Sequence, residues 1–450
     1  MYLDDTLLQT QSKKCIIEIF GLGYVGFPLS IRLATSGFKI IGIDVDQKRV
    51  ERIQNNILNE SEVVFRKEFL ESRKHGNFEI AKFPAKSDSS KIGIICVPTP
   101  PPKQNIDSNI FVKSAVENFL NTCKLGDVII IESSVKVGTT DEVKTIVEKK
   151  GFKVGENFGL CFCPERIDPL NQKWTLENIP RVIYASDDIT FRIAQSVYHY
   201  VNNSSLKRVD SSKVAEVVKS FENAFRLVNI ALVNELAILC DKLKINVNDI
   251  INAAATKPFG FMPFYPSAGV GGHCIPKDPQ FLLESARTLK SEFATIDTAL
   301  KINSFIPKYI ADSIESTLEK LKLIKSVVVC GLTYKPDIED MRDSPGFKII
   351  NELQKRNFRV AGYDPYYKKD MREHYLIANE LQELNFEELD DLDDELIRGF
   401  NCICIVQHHA KTIFRLTAIY QKSLVPFIYD CQKKLAKDPK SKTVLNVNNF

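Results

Sequence analysis

Residues 15 to 44 read CIIEIFGLGYVGFPLSIRLATSGFKIIGID. An apolar β-type run ends on Gly21. Gly23 and Gly26 complete a Gly-x-Gly-x-x-Gly spacing, a helical pattern opens with Pro28 in its first turn, and a second apolar run closes on Asp44. In a strand-turn-helix of this kind the first glycine permits the tight turn and the second lets the backbone approach a pyrophosphate. The third allows the helix to pack closely, with its positive N-terminus over the phosphates. Asp44 is placed to hydrogen-bond adenosine ribose hydroxyls and to repel a 2′-phosphate, which favours NAD over NADP, with Arg49 nearby acting the other way. The glycine spacing alone is a weak signal; the strand before, the helix after and the acid at the end of the next strand supply its context.

Outward from this stretch, β-rich runs alternate with helical patterns, the signature of a parallel sheet covered by helices. Strand candidates at 15–20, 38–44, 91–97 and 127–134 recur in the same order at 326–332, 358–364, 401–406 and 425–430. In both sets a glycine closes the first strand and Gly-x-Asp ends the second. The reading is α/β: two Rossmann-like doubly wound domains joined by an all-α middle region with a long central helix. That helix is expected over residues 211–243, without Pro or Gly and with enough apolar surface for a homodimer interface. Residues 305–321 are expected to lead into the second sheet. The expected domains are 1–205, binding NAD; 206–315, helical and dimerising; and 316–450, binding the rest of the ligand. The first dozen residues and the Lys-rich tail after Lys433 are expected to be loosely ordered.

Composition narrows the class. The 450 residues are 44% hydrophobic and 26% charged, with a net charge of +3, which is far from the basic excess of a nucleic-acid binder. No membrane-spanning run and no leader pattern are read, so a cytoplasmic location is expected. Most of the eleven Cys fall in strand-like runs and read as small buried hydrophobes. The pairs Cys161/Cys163 and Cys402/Cys404 lack a second ligand pair at zinc spacing, and no metal is expected.

Residues 267–279, SAGVGGHCIPKDP, set Cys274 between flexible glycines and a Pro-Lys-Asp run. A thiol beside Lys277 and Asp278 reads equally as a charge-tuned nucleophile or as a structural cysteine in a capping loop. Lys219 and Asn223 share one face of the long helix, with Arg226 a turn further, where an apolar seam would cost less; ammonium and carboxamide together can hold an oxyanion. CPERIDP (163–169) follows a strand and reads either as offering Glu165 as a base or as a surface Glu-Arg pair. CVPTP (96–100) and ESS (132–134) end strands at the carboxyl edge, where such sheets bind ligands.

GLGYVG, CVPTP, CPERIDP, AEVVKSFENAFRLVNIALVNELA, GVGGHCIPKDP and GLTYKPDIEDMRDSP, in this order, resemble the UDP-glucose/GDP-mannose dehydrogenase family from about residue 14 to about 435. The resemblance implies four-electron oxidation of a sugar CH₂OH to a carboxylate with two successive NAD, a thiol capturing the aldehyde on the way. It implies Cys274 as nucleophile, Lys219 and Asn223 stabilising oxyanionic oxygen, Asp278 positioning water and protons, Glu165 as base in thioester hydrolysis, and Ser134 in place of the usual Thr that helps hold water. The implied cofactor contacts are Gly21, Gly23, Tyr24, Val25, Gly26, Asp44, Arg49, Val97, Thr99 and Ser134. For the UDP-sugar they are Glu165, Arg166, Lys219, Asn223, Arg226, Lys257, Phe264, Tyr265, Gly271, Lys335 and Arg342.

Local detail around the helix, 256–266 and 333–345 resembles the UDP-N-acetylhexosamine branch, UDP-N-acetylglucosamine first, with UDP-N-acetylmannosamine or UDP-glucose as alternatives. Departures from the family pattern touch loop shape and substrate contacts: Leu170 for Gly, Ser267-Ala268 for Gly-Pro, Tyr184-Ala185 for a Gly pair, and Gln432 for Arg. GLTYKP is not a Gly-x-Gly-x-x-Gly, so the second sheet is expected to hold the UDP end rather than a second NAD. His408 and His409 read as the polar start of a loop. Two other readings are weighed: a two-electron dehydrogenase of the hydroxyacid or 6-phosphogluconate type, which would not need Cys274, and a catalytically silent nucleotide-sugar binding module.

Overall fold

The chain forms two compact units, Met1–Glu222 with Gln280–Glu292, and Asn223–Pro279 with Phe293–Phe450. The computed structural model describes residues 2–59, 62–102, 107–168, 171, 173–202, 205–432, 435 and 446–449.

The first unit is built on an eight-stranded sheet: β1 (Ile16–Phe20), β2 (Lys39–Ile43), β3 (Phe78–Ala81), β4 (Lys91–Ile95), β5 (Val128–Ile131), β6 (Gly159–Phe162), β7 (Arg181–Ala185) and β8 (Leu206–Arg208). Their spatial order is 3-2-1-4-5-6-7-8. The central strands are almost wholly apolar because both faces of a parallel sheet are covered. Ile17, Ile19, Ile92, Ile94, Val128 and Ile130 enter one buried cluster. Their alternates Phe20, Ile95, Ile129 and Ile131 enter another. Among the described residues of this sheet only the β6–β7 pair is antiparallel, with Cys161 opposite Ala185 and Phe162 opposite Tyr184.

The second unit carries a parallel sheet of β9 (Ser326–Cys330), β10 (Arg359–Tyr363), β11 (Glu387–Glu388), β12 (Cys402–Ile405), β13 (Phe427–Asp430) and β14 (Asn446–Asn449). Its order, 11-10-9-12-13-14, repeats that of the first six strands of the other sheet. The likeness extends to the turn after the first strand. Asp44 Oδ2 accepts the Leu22 N–H at 2.8 Å, and Asp364 Oδ2 accepts those of Leu332 and Thr333 at 2.6 and 2.9 Å.

Helices Ser212–Leu243 and Ala294–Lys320 supply the helical region, the second extending the 305–321 segment toward the N-terminus. Ser212–Leu243 is long and apolar enough to cross a membrane by composition, although no such run was expected from the sequence. Its apolarity serves the core: Leu227 and Ala231 pack with Val270 and Ala299, and Val233, Ala237 and Cys240 join a cluster with Ile306 and Ile310.

Three expectations are corrected. The N-terminus is ordered as helix Tyr2–Gln11, which buries Leu3 and Leu7 and bonds Thr6 Oγ1 to the Gly126 carbonyl at 2.7 Å. A sparse i, i+4 apolar pair hid it, since packing rather than propensity holds it in place. Within the tail, β14 pairs in parallel with β13, while most of the Lys-rich stretch lies outside the described residues, as does Leu170. His408 and His409 do start the polar loop after β12, yet they are buried in it. His408 Nε2 meets Asp430 at 2.8 Å, and His409 Nε2 meets Asp364 at 2.9 Å while its Nδ1 accepts the Asp337 N–H at 3.0 Å.

Candidate active site

At the glycine turn, Gly21 takes φ +88°, and a methyl group there would lie 2.7 Å from the Cys96 carbonyl oxygen. A methyl at Gly26 would strike the Gly21 carbonyl oxygen, so helix Gly26–Thr35 can start here only with glycine. In front of Gly23 the space is open, with nothing within 4 Å of a methyl placed on it. Val25, the residue before the helix, offers no side-chain cap. Uncapped amides and open space in front of Gly23 fit the pyrophosphate of a dinucleotide.

Asp44 is half-buried, bracing the turn through Leu22 and accepting the Asp46 N–H at 2.9 Å. Arg49 is tied inward. Its Nη2 donates to the Leu22 carbonyl at 2.6 Å, and its guanidinium pairs with Glu62 and lies over the Phe27 ring. A guanidinium so engaged leaves the acid at position 44 to set cofactor preference.

The neighbouring strand ends are laced together at the same edge. Thr99 Oγ1 donates to the Ser134 carbonyl at 2.6 Å, and Ser133 Oγ donates to the Val97 carbonyl at 2.7 Å. Just beyond β6, Glu165 Oε1 accepts the N–H groups of Arg166 and Ile167 at 2.6 and 2.8 Å, and Oε2 pairs with Arg181. Arg181 is fully buried and also donates to Glu132 Oε1 at 3.1 Å. It is the residue in this region that reading the sequence missed. Because β7 runs antiparallel, its first residue lies at the carboxyl edge of the sheet, and a local apolar run does not reveal strand direction. Arg166 is held by Glu222 and by the Pro180 carbonyl at 2.7 Å.

Lys219 and Asn223 lie on helix Ser212–Leu243, Lys219 half-buried and Asn223 buried. In the second unit, Asn223 Nδ2 donates to Asp278 Oδ2 at 2.7 Å. Asp278 is fully buried; its other oxygen takes no hydrogen bond and faces the Lys277 ammonium at 3.4 Å. The Cys274 carbonyl accepts the Asp278 and Lys277 N–H groups at 2.8 and 3.2 Å, so thiol, ammonium and carboxylate share one turn at the start of helix Asp278–Thr288. Among the eleven cysteines Cys274 is the exposed one; Cys96 and Cys123 are half-buried and the rest buried.

The approach to this turn is pinned. Asn303 accepts the Val270 N–H at 2.6 Å and donates to the Val270 carbonyl at 3.0 Å. The Gly272 N–H donates to the Arg342 carbonyl at 2.9 Å. Gly271 abuts the Asp343 carbonyl, and Gly272, at φ +80°, lies against the Tyr334 ring. Segment 333–343 therefore buttresses the cysteine loop. Half-buried His273 is held neutral, its pKa pushed down to about 2 by burial and by Lys277 and Arg342. Arg342 also grips Asp340 through Nε and Nη2, the latter at 2.6 Å, and Lys335 is half-buried on the same segment.

The other expected substrate residues differ in exposure, Phe264 being half-buried against the core and Tyr265 exposed. Arg226 and Lys257 are exposed, the latter over the Phe259 ring; Phe264 packs edge-on against Phe225, and the Tyr265 hydroxyl meets Asn252 Oδ1 at 2.9 Å. Gln432 donates to the Val406 carbonyl at 3.1 Å.

A Rossmann sheet with this turn, joined to a helical region that presents one exposed thiol, defines an NAD-dependent dehydrogenase. Three family models match in sequence: the NAD binding domain of the UDP-glucose/GDP-mannose dehydrogenase family over residues 15–202, its central domain over 213–304 and its UDP binding domain over 328–437. The chain belongs to the UDP-glucose/GDP-mannose dehydrogenase family, NAD-dependent oxidoreductases of nucleotide sugars. It is 36% identical to a UDP-N-acetyl-D-mannosamine dehydrogenase of Methanococcus aeolicus over 82% of each chain. A UDP-N-acetyl-D-glucosamine 6-dehydrogenase of Pseudomonas aeruginosa is 29% identical over 78% of this chain and 82% of the relative. A solved structure of UDP-D-ManNAc dehydrogenase from Pyrococcus horikoshii superposes with a TM-score of 0.82 at 27% identity, covering 96% of this chain and 98% of that one.

Proposed function

We propose that the chain oxidises the C6 hydroxymethyl of a UDP-N-acetylhexosamine to the uronic acid through a covalent intermediate on Cys274. The observation that carries the reading is the exposure of Cys274 on a backbone fixed by Asn303, Arg342 and Asp278, where a buried structural cysteine would have no access to substrate. Bound NAD supplies the hydride acceptor for each of the two oxidations, and the turn at Gly21–Gly26 with Asp44 would hold it.

The Cys274 sulfur adds to the aldehyde carbon of the half-oxidised sugar. The resulting thiohemiacetal keeps the intermediate attached for its second oxidation to a thioester. Lys219 and Asn223 offer an ammonium and an amide N–H to the oxyanion. In the last step water adds to the thioester carbon, its proton passes to Glu165, and the C–S bond breaks to return the thiol and release the carboxylate. Asp278, fixed by Asn223, positions water and takes part in proton transfer. The division 1–205, 206–315 and 316–450 belongs to the same reading, supported by the three matched segments.

For the sugar, the relatives named for N-acetylmannosamine weight that epimer above the N-acetylglucosamine expected from the sequence. A homodimer or a multiple of dimers is proposed through the exposed Phe225, Leu232 and Leu239 of the long helix, and sedimentation tests it. A cytoplasmic location goes with a soluble cofactor and substrate, and fractionation of the expressing cell tests it.

The deciding experiment follows absorbance at 340 nm with each UDP-sugar in turn. Two NADH per sugar with one donor, lost in Cys274→Ala, supports the reading. One NADH unaffected by the substitution would replace it with a simple alcohol dehydrogenase, and sugar binding without NADH with a silent module.

A further inference from the structure

We infer that Arg181 is a positioning residue that sets the orientation of Glu165 and divides its charge between Glu165 and Glu132 on its far side. The inference rests on the reading of Glu165 as the base of thioester hydrolysis.

Arg181 opens β7, whose antiparallel course brings it back to the edge where β5 and β6 end, followed there by Glu132 and Glu165. Arg181, Glu132 and Glu165 are 0%, 3% and 8% exposed. The guanidinium forks between two carboxylates: Nη1 reaches Glu132 Oε1 at 3.1 Å, and Nη2 pairs with Glu165 Oε2. Beneath it lies the Tyr198 ring, 4.7 Å from the guanidinium carbon, and the Tyr198 hydroxyl donates to the same Glu132 oxygen. With the Arg166 and Ile167 amides on its other oxygen, the Glu165 carboxylate has both oxygens engaged.

Two carboxylates on one buried cation leave a net negative charge, and burial already pushes the Glu132 pKa up. Stability alone gives little reason for such a group, since a buried ion pair can be replaced by well-packed apolar side chains at little loss. Its geometry gives Glu165 a fixed direction. Its cation is shared with Glu132, so Glu165 is not the sole partner of the guanidinium.

The test uses the full-length enzyme. Arg181→Lys keeps a charge, but one ammonium cannot fork between both acids as the guanidinium does. First-turnover NADH is expected to stay within about threefold of wild type while steady-state turnover falls about tenfold or more, with a sugar thioester on Cys274 visible by intact mass after acid quench. The acid limb of the kcat–pH profile should move to higher pH. Glu132→Gln, which leaves the guanidinium wholly to Glu165, should move that limb to lower pH. Opposite movements are not what a merely structural role would give. Burst and steady state falling together, or limbs that stay fixed, would overturn the inference; if Arg181→Lys does not fold, the Glu132→Gln limb decides alone. Glu165→Gln run in parallel separates the two readings. If it accumulates no thioester, the role of Glu165 fails; if it does and Arg181→Lys does not, the positioning role fails.

Discussion

The side-chain amide of Asn223 donates to Asp278 at 2.7 Å, joining the long helix to the turn that begins at Cys274. Asp278 is fully buried, and Asn223 is the hydrogen-bond donor to its Oδ2. Removing a partner from a buried charged group costs about 1–3 kcal/mol or more. Asn223→Ala should therefore lower stability by about that amount in a denaturant titration and reduce kcat more than KM. Asn223→Asp sets two carboxylates together and should be worse at neutral pH, recovering partly in acid. A chain as stable and active as wild type with Ala at 223 would show that the bond has neither role.

Gly272 lies in the left-handed region with a Tyr334 ring carbon 2.7 Å from where a methyl would sit. Gly272→Ala meets the ring and also carries a backbone cost of roughly 1–2 kcal/mol. It should slow steady-state NADH formation and change the rate at which iodoacetamide labels Cys274. Adding Tyr334→Ala should restore part of the loss, because it removes the collision and leaves the dihedral cost. No recovery in the double variant would mean that the ring does not set the loop.

Asp44 bonds the glycine turn and sits where an adenosine ribose is recognised. Asp44→Ala is expected to raise the KM for NAD about tenfold, which corresponds to about 1.4 kcal/mol. It should not confer efficient use of NADP, because Arg49 is committed to the Leu22 carbonyl and Glu62. A switch to NADP on this single change would show that Arg49 leaves its partners readily.

His273 gives a pH dependence with a defined sign. Its folded pKa, pushed down to about 2 from 6.5, lies below that of the unfolded chain, so the folded state disfavours the proton. The stability tied to the neutral ring is present above about pH 6.5 and is lost as pH falls toward the folded value. Thermal midpoints measured between pH 7 and pH 4 should decline, and His273→Gln should flatten the decline. An equal slope in the variant would assign the acid sensitivity to other groups.

Local signals were enough for four strands of each sheet and for the parts read as facing a ligand. Gly21, Gly26 and Asp44 could be read because each satisfies a constraint within one strand-turn-helix, and the repeat of strand order was visible in the spacing of apolar runs. The exposed Cys274 and its Pro-Lys-Asp sequel were legible as a pattern, but whether the thiol was buried was not. The loop that carries it is held at Val270 and Gly272 by Asn303, Tyr334 and Arg342, which lie 29 or more residues from Cys274 in sequence.

By itself, then, the sequence determined the doubly wound class of the two domains, the dinucleotide turn and the residue types available for chemistry, because those follow from short-range periodicity and backbone sterics. Only the tertiary structure decided which charges meet. Arg181 reaches Glu132 and Glu165 because one strand reverses direction; His408 and His409 are buried because Asp430 and Asp364 stand opposite them; and helix Tyr2–Gln11 holds through Leu3 and Leu7 against a distant surface. Pairings of this kind depend on which chain segments pack together, and no local run of residues encodes the direction of a strand or the partner of a buried charge.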